Sequence, residues 1–293
     1  MNDLCLALVI LVLASACLFL LGVRLSRSGT EKRAQVFGAL TLMLLLVYAF
    51  RFHGTLRMAQ LLPVSNALIL ANWLPPGGAF LAGIVIGLRQ PPLWRRVGLA
   101  LIMVFVTSYS VACCFQGRVG DPHKLQGSDS VQSWDSSCGP CCAAELLQHH
   151  GIDATEEELA ELCVTSQRGC PALGLYRGLK LKTAGTDWDV VVVHCSVAEL
   201  LQRESPLLLR VSLVRGQGLF EPDWSQKLTS VFMPEHAILL LGKDSDGWAR
   251  VFDPAIPTDS QCAWSLETLQ TQWKGEALQL VRRRRAEGVE SGG

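Results

Sequence analysis

Three cysteines lie close together near the middle of the chain, at Cys138, Cys141 and Cys142. They stand where a polar, serine-rich stretch gives way to an apolar run that begins at Ala143, a pattern typical of a helix start. A thiol at the N-terminus of a helix lies at the positive end of the helix dipole, which favours the thiolate. Cys138 is therefore a candidate nucleophile, a candidate redox centre or a structural cysteine.

The redox interpretation rests on Cys138-Gly139-Pro140-Cys141, a Cys-x-x-Cys dithiol and the tetrapeptide that is found in thioredoxins. Such a motif is expected after a buried strand of a βαβ unit. The residues before it, 125–137, include Gln, Gly, Asp and several Ser and do not predict a buried strand. A thiol-disulfide oxidoreductase that uses Cys138 and Cys141 stays open as an alternative.

A nucleophilic thiol requires a base, a residue that orients the base, and a hydrogen-bond donor for the oxyanion. His236 begins an apolar strand, and Asp253 ends the next strand. Asp246-Gly247 between them predicts a hairpin turn. Since the start of one strand of a hairpin lies beside the end of the other, we expect His236 next to Asp253, in the papain-like order Cys, His, Asp.

These residues resemble a known family. Gln132, five intervening residues, Cys138-Gly139 and a further cysteine at Cys142 resemble the signature of the bacteriocin-processing peptidases, papain-like domains that cut double-glycine leader peptides. Residues 236–240 and 251–254 resemble the second block of that family at a similar spacing. The resemblance covers about residues 131–280. It implies Cys138 as the nucleophile, His236 as general base and later acid, Asp253 as the orienting residue and Gln132 as the side-chain oxyanion donor.

Two features differ from the family pattern. The residue directly before the cysteine is usually acidic, whereas this chain has Ser137. Many members are fused to an ATP-driven exporter, and no Gly-x-x-x-x-Gly-Lys-Ser/Thr phosphate loop occurs in this sequence. The expected partners are thus a peptide or protein substrate and the lipid bilayer, with a separate exporter as an option. ATP is not expected, and the net charge of zero argues against nucleic acid.

The remaining cysteines and histidines suggest no cofactor and no metal. The soluble half holds seven cysteines, and outside the cytoplasm some of them could form disulfides. Cys163 and Cys170, which flank Gly169, are a candidate pair. His194-Cys195 has no second pair at zinc-finger spacing. A catalytically inactive domain that binds a peptide on its sheet is a further alternative.

The first 115 residues are dominated by apolar side chains, and most acidic residues follow Asp121. A run of about 20 apolar residues crosses the hydrocarbon layer of a bilayer. The pattern predicts about four transmembrane helices, at 4–23, 34–50, 67–88 and 97–115. Pro75-Pro76-Gly77-Gly78 interrupts the third, which we expect to be one long, kinked span.

The loops predict the orientation. Lys and Arg are concentrated after the first predicted span and before the fourth, and this excess marks the cytoplasmic side. Both chain ends would then lie on the other side. We therefore expect a multi-pass protein of the cell membrane with its catalytic domain on the extracytoplasmic side.

The rest of the chain predicts a linker at 116–130, a domain at 131–285 and a disordered tail at 286–293. Helices are expected at 139–150, 155–163, 171–183, after Ser196 and at 265–273. Strands are expected at 190–193, 206–214, 236–242 and 248–252. Arg282 to Arg285 are expected to be a basic tail, either solvated or in contact with anionic lipid. The predicted fold class is α+β: a papain-like domain whose cysteine-bearing helix packs on an antiparallel sheet, preceded by a multi-pass α-helical membrane region.

Overall fold

The computed structural model describes residues 2–89, 92–114, 132–134, 136–203, 206–212, 235–256 and 262–283. The chain divides into two compact units, Met1–Gln116 and Gly117–Gly293. The predicted linker at 116–130 and the predicted tail at 286–293 lie outside the described residues.

The first unit is helical. Its helices, in chain order, are α1 Asn2–Ser28, α2 Glu31–Arg51, α3 Arg57–Leu61, α4 Ala67–Leu70, α5 Leu74–Gly87, α6 Leu93–Ser108 and a 3-10 helix at Tyr109–Cys114. Four stretches are long and apolar enough to cross a membrane, namely Asp3–Ser28, Glu31–Arg51, Ala67–Gly87 and Leu93–Ala112. They coincide with the four predicted spans.

The third of these stretches is broken between α4 and α5. Pro75 and Pro76 lie in the first turn of α5, where proline is tolerated because the N–H groups there have no partner within the helix. The backbone N–H of Leu74 donates instead to the side-chain oxygen of the buried Asn72 (3.3 Å). The interruption expected at the two prolines is therefore a break between two helices, and the N–H of Leu74 there has a local partner.

Glycines let α1 and α5 approach each other closely. A Cβ atom at Gly83 would collide with the carbonyl oxygen of Phe19, and one at Gly22 would collide with the carbonyl oxygen of Phe80. A Cβ at Gly87 would lie 2.6 Å from the Cβ of Ser26. Small residues at such contacts are typical of helix packing in membranes, where backbones must come close because lipid is as apolar as the side chains.

The second unit contains five described helices and six strands. The helices are α7 Cys138–His149, α8 Glu156–Leu162, α9 Ala172–Lys182, α10 Val197–Leu200 and α11 Leu266–Gln272. The strands are β1 Trp188–His194, β2 Leu207–Ser212, β3 Glu235–Lys243, β4 Ala249–Phe252, β5 Cys262–Trp264 and β6 Trp273–Arg282.

The six strands form one antiparallel sheet in the order β1-β6-β2-β3-β4-β5. The cysteine-bearing helix α7 contacts β3, since the thiol of the fully buried Cys142 donates to the carbonyl oxygen of Ala237 (3.4 Å). Apolar side chains of α10 and α11, including Leu200 and Leu269, join Leu209 and Ile238 of the sheet in one buried cluster. Burial of such clusters drives folding of the unit. The predicted α+β architecture is confirmed.

The sequence missed two strands, β5 and β6. Ala277 to Leu280 of β6 are consecutive buried residues, so the strand lacks the polar and apolar alternation that marks a half-exposed strand. The prediction that a basic tail begins at Arg282 is wrong, because Arg282 is the last residue of β6 and the side chain of Arg283 donates to the carbonyl oxygen of Trp188 (3.0 Å). Strand β1 is longer than predicted, and residues 213–214 of the predicted 206–214 strand lie outside the described residues.

Candidate active site

Helix α7 begins at Cys138, one residue earlier than expected. The fully buried Ser137 closes the turn in front of it: its hydroxyl accepts a hydrogen bond from the N–H of Trp134 (3.1 Å) and donates to the carbonyl oxygen of the same residue (2.8 Å). The residue that replaces the usual acidic one therefore shapes the backbone ahead of the cysteine. The thiol is placed at the positive end of α7.

Gln132 is held near the end of β4. Its backbone N–H donates to the carbonyl oxygen of Pro254 (3.1 Å), and only 8% of the residue is exposed. The next residue, Ser133, donates through its N–H (2.9 Å) and its hydroxyl (2.9 Å) to the carboxylate of Glu156. Two anchors thus fix the segment that carries Gln132, one to the residue after Asp253 and one to the start of α8.

Glu156 is a site-supporting residue that sequence reasoning missed. It is the first residue of α8, where the helix dipole favours a carboxylate. The helix dipole already accounts for an acidic residue at this position, so the sequence indicates no further role for it. Its partner Ser133 lies 23 residues earlier in the chain. No local pattern connects the two residues.

His236 and Asp253 lie side by side, as the hairpin model predicts. Strands β3 and β4 pair antiparallel, so the start of β3 reaches the end of β4. The Nε2 atom of His236 is 2.6 Å from Oδ1 of Asp253. The same carboxylate oxygen accepts a hydrogen bond from the N–H of Ala255 (3.0 Å), which fixes its orientation.

Cys138 lies on the other side of the His236 ring, in hydrogen-bonding contact with it. Since Nε2 is bonded to Asp253, Nδ1 is the ring nitrogen that remains for the thiol. Burial alone would raise the pKa of Cys138, but the hydrogen bond and the charge of His236 outweigh it, with backbone N–H groups of Ala237 and Gly139 adding to the effect. The pKa of the thiol is therefore lowered.

The pKa values of His236 and Asp253 are also shifted, each in the direction that favours the charged form. Burial opposes the charged form of His236, yet the hydrogen bonds to Asp253 and Cys138 and their negative charges raise its pKa to about 9. Burial would likewise raise the pKa of Asp253, but His236 and the N–H of Ala255 lower it. These shifts favour a thiolate–imidazolium pair over the neutral pair, and the thiolate is the form in which a cysteine is nucleophilic.

The other cysteines of α7 are in a different environment. Cys141 and Cys142 are buried, and burial together with nearby negative charges raises the pKa of both thiols. All seven cysteines of the soluble half, including Cys163 and Cys170, are free thiols in this structure. Over the described ranges, no group of three or more His, Cys, Asp or Glu side chains is arranged to hold a metal ion.

A cysteine at a helix N-terminus, facing a histidine on an antiparallel sheet, defines a papain-like cysteine peptidase. Residues 130–206 match the model of a family described as "Peptidase C39 family". The match confirms the resemblance to the bacteriocin-processing peptidases, and the chain carries a cysteine peptidase domain. The matched segment includes Gln132 and Cys138, whereas His236 and Asp253 follow it in the sequence.

Similar solved structures include two peptidase domains. One is the peptidase domain of Streptococcus ComA, a bifunctional ABC transporter of a quorum-sensing pathway, with 20% identity over 50% of this chain and 93% of the other and a TM-score of 0.38. Another is a double-glycine-motif protease from an AMS/PCAT transporter in complex with a leader peptide, with 15% identity over 52% and 89% and a TM-score of 0.39. No curated protein sequence matches the chain.

Proposed function

We propose that this protein is a membrane-anchored cysteine peptidase with a Cys138, His236 and Asp253 triad and Gln132 as the side-chain oxyanion donor. The observation that carries the proposal is the 2.6 Å contact between His236 and Asp253 with Cys138 against the same ring. Cys138 is almost a hundred residues away from His236 in sequence, so only the fold creates this arrangement. Perturbed pKa values on such a group are typical of catalytic sites.

The reaction begins with the thiolate of Cys138, which attacks the carbonyl carbon of the scissile peptide bond. The negative charge moves to the carbonyl oxygen and is stabilised by the backbone N–H of Cys138 and by the side-chain amide of Gln132. The imidazolium of His236 then donates its proton to the leaving amine, and the C–N bond breaks. The product is an acyl-thioester on Cys138.

Water completes the cycle. Neutral His236 accepts a proton from the water molecule that attacks the thioester, and the thiolate of Cys138 leaves as the acid product forms. Asp253 holds the ring so that one nitrogen faces Cys138, and its negative charge stabilises the imidazolium in both steps. The role of Gln132 is supported by its burial and its anchor to Pro254.

For the substrate, we propose the leader region of a secreted peptide, because the matched family processes such leaders. The four candidate spans would anchor domain 131–285 to the cell membrane. Under the positive-inside rule the domain would lie on the extracytoplasmic side, after substrate transfer by a separate exporter. On intact cells, a membrane-impermeant thiol reagent should then label the half-buried Cys195, and lack of labelling in otherwise reactive protein would contradict this side.

The two alternatives have less support. A dithiol oxidoreductase would use Cys141 as the partner of Cys138, yet Cys141 is buried and its thiol is held in the neutral form. An inactive peptide-binding domain would have no need for an ionised thiol against a charged histidine. These environments are the observations that favour hydrolysis.

The test uses the full chain in detergent with synthetic leader peptides that contain a double glycine, alongside a library of other peptides, read by mass spectrometry. Cys138→Ala should abolish cleavage, because no other thiol of α7 contacts His236. The matched control Cys141→Ser should retain cleavage, since this thiol takes no part in the reaction. Loss of activity in Cys141→Ser, with its folding intact, would favour dithiol chemistry instead. Full activity in Cys138→Ala would overturn the proposal.

A further inference from the structure

Two cysteines outside the candidate triad, Cys163 and Cys170, lie close together at the end of α8. Cys163 caps this helix, and the following residues close a Schellman turn: the N–H of Val164 donates to Glu161 (3.1 Å) and the N–H of Thr165 donates to Ala160 (2.9 Å). Val164 occupies the left-handed region, with φ of 57°, where glycine is usual. The chain is thus turned sharply directly after Cys163.

A second turn brings the chain back. Ser166 and Gly169 exchange two backbone hydrogen bonds (3.1 and 3.0 Å), and Gly169 has a φ of 101° that its lack of a Cβ permits. Cys170 therefore returns to Cys163: its Sγ is 3.6 Å from the carbonyl oxygen of Cys163, and the two thiols are hydrogen-bonded to each other. Six residues separate two sulfur atoms that are in contact.

The two thiols differ in their surroundings. Cys163 is fully buried, and helix α9 lies against it through glycines: a Cβ at Gly174 would collide with the carbonyl oxygen of Cys163, and one at Gly178 with its sulfur. Cys170 is partly exposed. Burial and the neighbouring Cys170 raise the pKa of Cys163. A soluble oxidant therefore reacts first at the partly exposed Cys170, and Cys163 loses its proton only in the second step, in which it attacks the mixed disulfide on its neighbour.

The loop that joins the two cysteines touches the first turn of α7. A Cβ at Gly139, the residue directly after Cys138, would lie 3.4 Å from the Cβ of Cys170 and 2.9 Å from the side chain of Leu175. The position of this loop therefore limits how far the start of α7 can move. A covalent link across it would restrain the backbone that carries Cys138.

We propose that Cys163 and Cys170 form a disulfide bond that braces the N-terminus of α7. The thiolate of Cys170 attacks a small disulfide such as oxidised glutathione and releases one thiol, and Cys163 then displaces the second thiol from the mixed disulfide. Two thiols of the protein are oxidised to one S–S bond, and the S–S bond of the oxidant is reduced to two thiols that take up the two protons. The extracytoplasmic location proposed above supplies such oxidants.

The consequence for the domain is a raised thermal stability. Closing a loop of this length restricts the unfolded chain, and for a domain of this size we expect a rise of about 5 °C in the unfolding temperature. Any gain in peptidase lifetime rests on the proposed function. The bond rests on the proposed extracytoplasmic location for its oxidant but not on peptidase activity, since neither cysteine takes part in the proposed mechanism.

The test incubates the full chain, carrying Cys138→Ala to remove the reactive thiol, in glutathione buffers of graded redox potential. Free thiols are then alkylated and the protein is cut with trypsin, which cleaves after Arg168 between the two cysteines. We expect a linked pair of peptides that contain Cys163 and Cys170, and a higher unfolding temperature in the oxidised protein. Cys170→Ser should abolish both effects, whereas Cys195→Ser and Cys262→Ser, which alter other half-buried thiols, should preserve them.

Two results would overturn the proposal. One is that Cys170, after incubation in a fully oxidising buffer, remains a glutathione adduct or is linked to a different cysteine. The other is an oxidation-dependent rise in unfolding temperature that persists in Cys170→Ser. Failure of the peptidase proposal would change neither readout, because both are measured without turnover.

Discussion

The charge of Asp253 is the feature whose removal best tests the site. The substitution Asp253→Asn keeps the shape of the side chain and an oxygen near Nε2 of His236 but removes the negative charge from a 2.6 Å contact. The pKa of His236, about 9 against an ordinary 6.5, corresponds to about 3 kcal/mol in favour of the protonated ring. Burial opposes this protonation, and the bond to Asp253 is the largest contribution in its favour.

Without the carboxylate, the pKa of His236 should fall below 9, because the largest contribution that offsets burial is lost and only Cys138 still favours the charged ring. Cys138 in turn loses the cation that stabilises its thiolate, and its pKa should rise. The pH range in which the thiolate and imidazolium coexist therefore narrows from both sides. Turnover at neutral pH should fall about a hundredfold or more, since the ring is also less well positioned.

The assay is the pH dependence of alkylation of Cys138 by iodoacetamide, followed by mass spectrometry, which needs no substrate. In the unmodified protein the rate of alkylation should rise at a pH below the ordinary thiol pKa of 9.0, and Asp253→Asn should move this rise to higher pH. Glu235→Gln is the matched control, because this carboxylate adjoins His236 in sequence but pairs with Lys274 (2.6 Å). An unchanged profile in Asp253→Asn, or an equal shift in Glu235→Gln, would refute the reasoning.

Two further predictions concern the oxyanion donor and the membrane unit. Gln132→Ala should lower kcat about a hundredfold or more while KM and the alkylation profile of Cys138 stay unchanged, because the amide acts only on the transition state; a shifted alkylation profile would instead indicate a structural role. Gly83→Ala should lower the unfolding temperature of the full chain in detergent, since its Cβ would collide with the carbonyl oxygen of Phe19. Gly98→Ala, which faces open space, is the control, and equal stability of the two variants would contradict the close packing of α1 on α5.

Much of the fold was predictable because its signals are local. The four candidate membrane spans follow from the length of apolar runs, and the break before α5 follows from Pro75 and Pro76, which lack N–H groups. The β3–β4 hairpin follows from the turn at Asp246-Gly247, where Gly247 has a φ of 85°. Strand β6 could not be found in the same way. It pairs with β1 and β2, which are distant in sequence, and its buried middle shows no alternation.

The candidate site, like the fold, could be predicted from the sequence only in part. Sequence order selected Cys138, His236 and Asp253, and the structure brings these three into contact. Gln132 was added by the family resemblance alone. The support of Ser133 by Glu156 escaped sequence reasoning because the two residues belong to different elements. The proximity of Cys163 to Cys170 could be suggested from their spacing, but their position behind Gly139 could not.

By itself, the sequence determined that the chain has an apolar half with four runs long enough to cross a membrane and a more polar half with cysteine, histidine and aspartate in papain-like order. Apolar length and residue order are properties of the chain that need no knowledge of packing. Only the tertiary structure decided which of the three cysteines of α7 has the environment of a nucleophile. Cys138 is hydrogen-bonded to His236, which lowers the pKa of its thiol, while burial raises the pKa of Cys141 and Cys142. Ionisation depends on burial and on charges within a few ångströms, and in this domain those charges come from strands about a hundred residues away.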